Sequence, residues 1–286
     1  MRVVEAGSLK AASEQIGSDP STVSRKISAL ESRLGLKLLE RSTKRSKPTE
    51  AGQDYYEGLR RIIDEQAALE AHVSGLVDNP TGRLSVTAPV DFGAKFVAPV
   101  LAALQDESPD LTIDLRLDSA FSDLIGQGLD VAIRIGQLKD SSLIGKRLGV
   151  VPRVLVAAPS YLAGRAPIQT AKDLEQHDFI HYRPGDRQVD LTLEKDGVPE
   201  TITAHGHFSA NSVTAIRALV VAGRGIHKGP VWAFEEELRD GKVVPVLPDY
   251  AIEAYPVHAP SAFLPAKIQR FIDLTAESFK ASGSLQ

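Results

Sequence analysis

Residues 7–52 contain two short amphipathic helical patterns, a glycine turn between them and a basic segment after them, an order that few folds accommodate. The first pattern begins at Ser8, a favourable N-cap residue, and ends at Gly17. Its apolar positions, which we expect to share one buried stripe, are Leu9, Ala12 and Ile16. The second pattern begins at Asp19-Pro20, where an acidic cap and a proline in the first turn suit a helix start.

The second helical pattern has one apolar face and one small polar face. The apolar face, expected to be buried, consists of Val23, Ile27, Leu30 and Leu34. The opposite face carries Ser21, Arg25, Ser28 and Ser32, and small serines let a helix approach base edges closely. Arg25 supplies a long donor that can pair with guanine. A helix, a turn and a second helix of this kind predict a helix-turn-helix with DNA as the leading partner.

The segment 36–49 is basic and suits a wing that lies along phosphates, since such contacts position a protein without reading the base sequence. It carries Lys37, Arg41, Lys44, Arg45 and Lys47 against one acid, Glu40. The alternative is a solvated helix pair followed by a lysine-rich loop. The predicted DNA-binding residues are Ser21, Thr22, Arg25, Ser28 and Ser32 of the second helix, with Arg41, Lys44, Arg45 and Lys47 of the wing.

Charge is unevenly distributed along the chain. Residues 1–49 hold ten Lys/Arg and five Asp/Glu, whereas the remaining residues hold 23 and 32, and the total is −4. A basic head on an acidic body suits a protein that docks on DNA with one end only. The chain has no cysteine, which excludes disulfides, thiolate nucleophiles and cysteine metal sites. No signal peptide and no apolar run of membrane-spanning length is present, so we expect a cytoplasmic protein.

Residues 50–78 contain no proline and have apolar residues at alternating spacings of three and four. This seam resembles a coiled coil and consists of Leu59, Ile62, Gln66, Leu69, Val73 and Leu76. Gln66 could fix the register between two helices, as buried polar groups sometimes do. A helix packed on its own domain is the alternative. Residues 79–82, Asn-Pro-Thr-Gly, end the pattern and predict a hinge.

After Gly82, short apolar strands alternate with helices, which predicts an α/β arrangement of a sheet with helices on its faces. The strand candidates are 83–88, 111–117, 131–135, 154–158, 179–182, 191–195, 201–208 and 243–247. The helix candidates are 91–107, 122–128, 171–176, 211–222, 231–240 and 264–280.

The whole chain resembles the LysR-type transcriptional regulators. In the first fifty residues the resemblance rests on Gly7-Ser8, Ala11-Ala12, the serine-rich stretch 21–28, Leu30-Glu31, Leu34-Gly35 and Arg41. Later it rests on the segments 83–93, 128–136, 157–162 and 211–226. The family has a longer first helix, whereas only residues 1–6 precede the turn here. We expect either a truncated first helix or a translation start upstream of Met1.

The resemblance implies an oligomeric promoter-binding regulator with a small anionic effector in an interdomain cleft. It implies a winged helix-turn-helix at 1–52, a dimerising linker helix at 53–79, and two α/β subdomains of periplasmic-binding-protein type at 83–158 with 260–286 and at 159–259. The strands that cross between the subdomains are expected near 157–159 and 257–260. A solute-binding module without a regulatory role is the alternative function. An α/β enzyme is a third hypothesis, but no G-x-S-x-G, P-loop or H-E-x-x-H motif supports catalysis, and no cofactor is predicted.

In the expected cleft, residues 87–93 take the chain from a strand into a helix, where free amides favour a carboxylate guest. An ordinary strand-to-helix turn without a ligand is the alternative. Arg134, before Gly136, could clamp an acid, with a structural salt bridge as the alternative. Asn211 and Ser212 could border the cleft or simply cap the next helix. The predicted effector-binding residues are Thr87, Ala88, Pro89, Val90, Phe92, Arg134, Gly136, Asn211, Ser212, Ile226 and Lys228.

The loop 223–230 is rich in glycine but does not fit a phosphate-binding pattern, since it follows a helix and its spacing differs from G-x-G-x-x-G. LysR-type domains have apolar residues where His227 and Lys228 stand, and these two could place a cation in the cleft or face solvent. The pairs His205/His207 and His177/His181 have no cysteine or carboxylate cluster to complete a metal shell, so no metal site is predicted.

Overall fold

The structure is a computed structural model that describes residues 1–41, 46–74, 80–118, 128–136, 144–183, 185–261 and 265–282. The N-terminal head consists of α1 (Arg2–Ala6), α2 (Leu9–Gln15), α3 (Pro20–Leu34) and an antiparallel hairpin of β1 (Leu39–Arg41) and β2 (Ser46–Pro48). Helix α4 (Glu50–Ser74) follows directly. The helices and the hairpin confirm the predicted winged helix-turn-helix.

Side-chain caps start both helices of the helix-turn-helix. The hydroxyl of Ser8 accepts the amide of Ala11 at 3.1 Å. The carboxylate of Asp19 accepts the amide of Thr22 at 2.9 Å. Each bond satisfies a backbone donor that the first helical turn leaves unpaired, so both predicted helix starts are confirmed.

The core of the head is small and is built from α1, α2, α3 and the wing. Its buried members are Val3, Ala12, Val23 and Leu39. Ile16 and Leu34 were expected to join it, but their side chains are 49% and 37% exposed. Ile16 is the C-cap of α2 and Leu34 is the last residue of α3, so both lie beyond the contact region, and that part of the stripe prediction is wrong.

Helix α4 is packed closely against the wing at its start. A Cβ on Gly52 would lie 1.8 Å from the carbonyl oxygen of Leu38, so only glycine allows this approach. Further along the predicted seam, Leu59 is half-buried, whereas Ile62 is 59% exposed and Gln66 is exposed. Residues 75–79, with Leu76 among them, and the side chains of Leu69 and Val73 lie outside the described residues.

The rest of the chain alternates strands and helices. The strands are β3 (Gly82–Ala88), β4 (Leu111–Leu117), β5 (Val131–Ala132), β6 (Arg134–Ile135), β7 (Ile144–Val151), β8 (Arg153–Ala157), β9 (Asp178–His181), β10 (Gln188–Lys195), β11 (Val198–Ser209), β12 (His227–Pro230), β13 (Val244–Pro245), β14 (Ala251–Ile252) and β15 (Tyr255–Ser261). The α-helices are α5 (Val90–Phe92), α6 (Ala98–Glu107), α7 (Pro159–Leu162), α8 (Val213–Val221), α9 (Glu235–Arg239) and α10 (Ala266–Ser282). A π-helical turn, Gly93–Val97, joins α5 to α6, and 3₁₀ turns form at Ala171–Gln176 and Val231–Ala233.

These strands form two groups. The first sheet has the order β4-β3-β5-β15-β6, with β7 also paired to β15. Strand β3 runs parallel to β4 and β5, as crossovers through helices require. The second group contains the sheets β12-β8-β13 and β14-β10-β11-β9. We call the part of the chain around the first sheet subdomain I and the part around the second group subdomain II.

The chain passes from subdomain I to subdomain II between β7 and β8 and returns between β14 and β15. The crossings expected near 157–159 and 257–260 therefore lie earlier in the chain. The apolar runs were located from sequence, but which sheet a strand joins depends on its pairing. Strand β8 pairs with β12 of subdomain II, and β15 pairs with β7 of subdomain I. The last strand and α10 therefore complete subdomain I.

Most other elements match the sequence prediction, but β7, β12 and the short elements β14 and α7 were not predicted. The segments of β7 and β12 are rich in glycine, lysine and arginine, which concealed them. The helix predicted at 231–240 is a 3₁₀ turn followed by α9. The helix predicted at 122–128 falls almost entirely on residues 119–127, outside the described residues.

Candidate functional site

The outward face of α3 carries the predicted DNA-reading residues. Ser21, Arg25 and Ser32 are exposed, and Thr22 and Ser28 are half-buried. Lys47 is exposed on β2 of the wing. Lys44, Arg45 and the side chain of Arg41 lie outside the described residues. Four of the described candidates, three on α3 and one on the wing, are therefore exposed.

Two of these hydroxyls are engaged in capping α3. The Asp19 carboxylate accepts the hydroxyl of Ser21 at 2.5 Å and that of Thr22 at 2.6 Å. These hydrogen bonds, Ser21 first, hold the pKa of Asp19 well below its usual range. Arg25 Nη2 in turn donates to Thr22 Oγ1 at 3.2 Å. The guanidinium of Arg25 is therefore held along the exposed surface of α3.

A buried carboxylate joins α3 to the wing. Glu31 is 3% exposed and accepts the amides of Leu38 and Leu39 at 3.0 and 3.2 Å. Lys37 Nζ also donates to it at 3.0 Å. Burial opposes ionisation of Glu31, but these hydrogen bonds outweigh it, and its pKa is lowered. Lys37, read from the sequence as one of the wing's basic residues, therefore serves to fix the wing to α3.

A cavity of about 780 Å³ lies between the two subdomains. Of the predicted effector-binding residues, those that line it are Pro89, Phe92, Arg134, Asn211 and Lys228. Those that do not are Thr87, Ala88, Val90, Gly136, Ser212 and Ile226. Thr87, Ala88 and Ile226 are buried within the subdomains and do not reach the cavity. Ser212 is the N-cap of α8, and its hydroxyl accepts the amide of Ala215, as the capping alternative predicted.

The anion at a helix N-terminus is one of the chain's own side chains. Asp91 of subdomain I accepts the amide of Val213 at 2.6 Å and both the amide and the hydroxyl of Thr214 at 3.1 and 2.6 Å. Burial opposes ionisation, but these hydrogen bonds prevail and lower the pKa of Asp91. From the sequence, we predicted that a ligand carboxylate binds at the start of the helix after β3. In the structure that helix supplies a carboxylate to α8 across the cleft.

Arg134 reaches the cavity from β6 and is buried. Its Nη1 donates to the carbonyl of Ile133 at 3.2 Å, and its Nη2 has no hydrogen-bond partner among the described residues. Burial lowers the pKa of Arg134, and the charge of Asp118 partly opposes this. No ion pair among the described residues includes Arg134, although the charge of Asp118 acts on it.

Arg153, which was not predicted from the sequence, is a second cation that lines the cavity, and it is half-buried. Its guanidinium lies 4.2 Å from the centroid of the Tyr255 ring, and its Nε has no hydrogen-bond partner among the described residues. Burial lowers the pKa of Arg153, and the hydroxyls of Tyr255 and Tyr182 oppose this. Lys228 Nζ lies 5.1 Å from the same ring of Tyr255. Arg153 is the first residue of the otherwise apolar strand β8, and the sequence alone does not indicate the direction of its side chain.

His227 lines the cavity as a neutral group. Its Nδ1 lies 2.8 Å from the carbonyl oxygen of Ile180, and a carbonyl only accepts, so Nδ1 carries the proton. Burial lowers the pKa of His227 to about 4. His227 therefore adds no cation to the cavity near neutral pH, whereas Lys228 lines it. Nε2 of His227 carries a lone pair that has no hydrogen-bond partner among the described residues.

The described residues contain no cluster of three or more side chains suited to hold a metal ion. His207 pairs with Asp178 at 2.9 Å, and His177 and His181 are buried separately in subdomain II. Among the same residues, no helix combines the length and the apolar character that a membrane crossing needs.

Comparisons with known proteins agree with this architecture. A family model described as "Bacterial regulatory helix-turn-helix protein, lysR family" matches residues 1–53, and "LysR substrate binding domain" matches residues 78–280. The chain belongs to the LysR family. It is a DNA-binding transcriptional regulator with an effector-binding domain.

Relatives along the whole chain carry the names of regulators. "HTH-type transcriptional activator AaeR" of Escherichia coli is 34% identical over 99% of this chain and 93% of its own length. "HTH-type transcriptional regulator PtxR" of Pseudomonas aeruginosa is 32% identical over 96% and 89%. The solved full-length virulence activator AphB of Vibrio cholerae matches with a TM-score of 0.61 and 29% identity, covering 96% of this chain and 95% of that one.

Proposed function

We propose that this LysR-type regulator responds to a small organic anion held between Arg134, Arg153 and Lys228. The observation that carries the proposal is the state of the two arginines. Arg134 is buried and Arg153 is half-buried, each has a shielded guanidinium nitrogen without a hydrogen-bond partner among the described residues, and no ion pair among those residues includes either of them. A charge held away from water is costly unless it is paired, and Asp118 offsets that of Arg134 only in part, so an anionic guest would stabilise both arginines.

The walls of the cavity narrow the class of anion further. Phe92, Trp232 and Tyr255 contribute aromatic surface, which suits a flat or ring-bearing guest. Nε2 of neutral His227 can accept a hydrogen bond from a ligand but cannot donate one. The proposed effector is therefore a compact anion with an apolar body and a hydroxyl or N–H donor.

The DNA-binding role is assigned to α3 and the wing. Arg25, Ser28 and Ser32 would face the major groove, and Lys47 would contact phosphates together with the other basic residues of the wing. A solute-binding role without DNA is disfavoured by the head, whose basic face has no use in such a module. We place the protein in the cytoplasm with the chromosome it would regulate, and we assign it no catalytic step.

Self-association is assigned to α4. Ile62 and Ile63 are 59% and 49% exposed on this helix, and apolar surface of this kind marks an interaction face. A second α4 that covers them would form the seam predicted from the sequence. The DNA heads of two chains would then be carried at a fixed separation.

Thermal unfolding in the presence of organic anions tests the effector assignment. A panel of aromatic and aliphatic hydroxy acids is compared with the matching uncharged methyl esters. A ligand at ~100 times its dissociation constant adds roughly 2.7 kcal/mol of stability, which a shift in Tm reports. We expect at least one acid to stabilise the wild type and its ester to have no effect.

The matched variants are Arg153→Met and Arg165→Gln. Arg165 stacks 4.0 Å from the ring centroid of Tyr161, much as Arg153 stacks on Tyr255, but it is exposed and does not line the cavity. Arg153→Met should abolish the shift and Arg165→Gln should retain it. Stabilisation by esters and acids alike, or an undiminished shift in Arg153→Met, would rule out the anion site.

A further inference from the structure

Helix α4 is attached to subdomain I by an ion pair that is almost completely shielded from water. Arg60 Nη2 lies 3.3 and 3.4 Å from the two carboxylate oxygens of Asp130. The side chains are 12% and 0% exposed. One turn earlier on α4, Glu57 lies so close to Gly128 that a Cβ there would be 2.2 Å from its carboxylate oxygen. The helix that leaves the DNA-binding head therefore contacts subdomain I at 128–130.

Asp130 stands at the start of the segment that delivers Arg134 into the cavity. Its carboxylate accepts the amide of Ser85 at 2.7 Å, and its own amide donates to the carbonyl of Ser85 at 2.9 Å. Strand β5 follows at once and is paired with β3, and Arg134 begins β6. Only three residues thus lie between Asp130, whose carboxylate contacts α4, and Arg134, whose guanidinium faces the cleft.

The other end of α4 is fixed to the head. Gly52 is packed on the carbonyl of Leu38 in the wing region, and the Tyr56 hydroxyl lies 3.3 Å from a carboxylate oxygen of Glu5 in α1. A displacement of α4 at Arg60 therefore moves the head with it. Contacts run without interruption from the cleft through the segment 130–135 and α4 to the head.

We propose that the Arg60–Asp130 ion pair couples the effector cleft to the DNA-binding head within one chain. This inference rests on the proposed function, since it assumes an effector that contacts Arg134. An effector that binds Arg134 and displaces it shifts the segment 130–135, which includes Asp130. Because the Arg60–Asp130 pair is buried, α4 must then either move with Asp130 or lose the ion pair. Coupling between two sites is reciprocal, so DNA bound at the head must also alter the segment at the cleft. Coupling can therefore be measured without knowing the effector.

Hydrogen–deuterium exchange on the full-length protein, free of DNA, is the first measurement. Arg60→Gln removes the cation, and Arg60→Lys keeps it. Arg83→Gln is the control, because it breaks the more exposed Arg83–Asp114 pair in the same subdomain. We expect the amides of residues 131–136 to exchange at least about tenfold faster in Arg60→Gln, because local opening becomes easier. Arg60→Lys should lie closer to the wild type, and Arg83→Gln should match it.

The second measurement repeats the exchange with a duplex of the intergenic region upstream of the gene. In the wild type, bound DNA should change exchange at residues 131–136. Arg60→Gln should bind the duplex with a Kd within about threefold of the wild type yet lose that change, a result that mere loosening of the fold would not produce.

Equal exchange of residues 131–136 in the free wild type and Arg60→Gln would overturn the coupling, and so would a DNA-dependent change that persists in the variant. Failure of the wild type to bind DNA would instead contradict the proposed function. The exchange of the free protein would still decide the role of Arg60.

Discussion

The Asp91 carboxylate of subdomain I accepts the amide of Val213, the first residue of α8 in subdomain II, at 2.6 Å. This bond crosses the cleft next to the cavity, and both residues line it. A carboxylate at a helix N-terminus satisfies unpaired amides and interacts favourably with the helix dipole. The contact therefore joins the two subdomains beside the cavity.

Asp91→Ala should destabilise the protein by about 1 kcal/mol at pH 7, the usual loss for a helix cap. The pKa of Asp91 is lowered in the folded state, so its contribution is present above the unfolded pKa near 3.8 and disappears as the pH falls through the lower folded value. Urea unfolding at several pH values checks this. Asp91→Asn, which keeps an acceptor, is the control. A difference between wild type and Asp91→Ala that does not shrink in acid would contradict the role of the ionised cap.

His227→Asn should make the protein less sensitive to mild acid. The pKa of His227 is lowered from 6.5 to about 4, so the unfolded chain takes up this proton more readily than the folded one. Neutral His227 therefore costs the folded protein nothing above pH 6.5. As the pH drops from 6.5 to about 4, the free energy of unfolding falls by about 3 kcal/mol because of this group. Asparagine can still donate to Ile180. Thermal melts between pH 4 and 7 should show a shallower decline in the variant, and exposed His207→Asn should behave as the wild type.

Ile62→Asp should convert the protein to smaller species without unfolding it. Ile62 is 59% exposed in one chain, and a charge in a covered apolar seam is costly to desolvate. Sedimentation velocity measures the outcome. Val198→Asp is the control, since Val198 is 61% exposed but lies at the start of β11 in subdomain II. Unchanged sedimentation of Ile62→Asp would assign the assembly to another surface.

Arg25→Ala and Lys47→Ala should affect DNA binding differently. Loss of a bidentate contact to guanine costs about 1–3 kcal/mol and relaxes preference at one base pair. Loss of a phosphate contact weakens binding to all sequences and lowers the salt dependence. Competition binding against a library of single-base operator variants separates the two. Lys172→Ala, exposed in subdomain II, should leave binding unchanged. A uniform effect of Arg25→Ala would remove it from base readout.

Local signals made the head predictable. The caps Ser8 and Asp19 and the glycine turn lie within a few residues of the helices they set, so sequence alone located α2 and α3. The cleft is different, because the directions of its side chains depend on pairing between distant strands. Arg153 lies opposite Pro230 in the pairing of β8 with β12, and neither position reveals this in the sequence.

Contacts between domains are likewise invisible in a single sequence. Arg60 and Asp130 are seventy residues apart, and each looks like an ordinary surface charge beside its neighbours. Asp91 was passed over for the same reason, since its partners lie more than one hundred residues later. The residues around the cleft that the sequence did identify, such as Arg134, stood at the end of a recognisable strand.

The central claim is that the N-terminal head grips duplex DNA through its basic face. The most direct test is the binding of the full-length protein to the intergenic duplex upstream of its gene, measured across a series of salt concentrations. Each neutralised phosphate contributes about −0.9 to the slope of log K against log salt, so several contacts predict a steep loss of affinity. No measurable association at low salt, or an affinity that does not change with salt, would contradict the account.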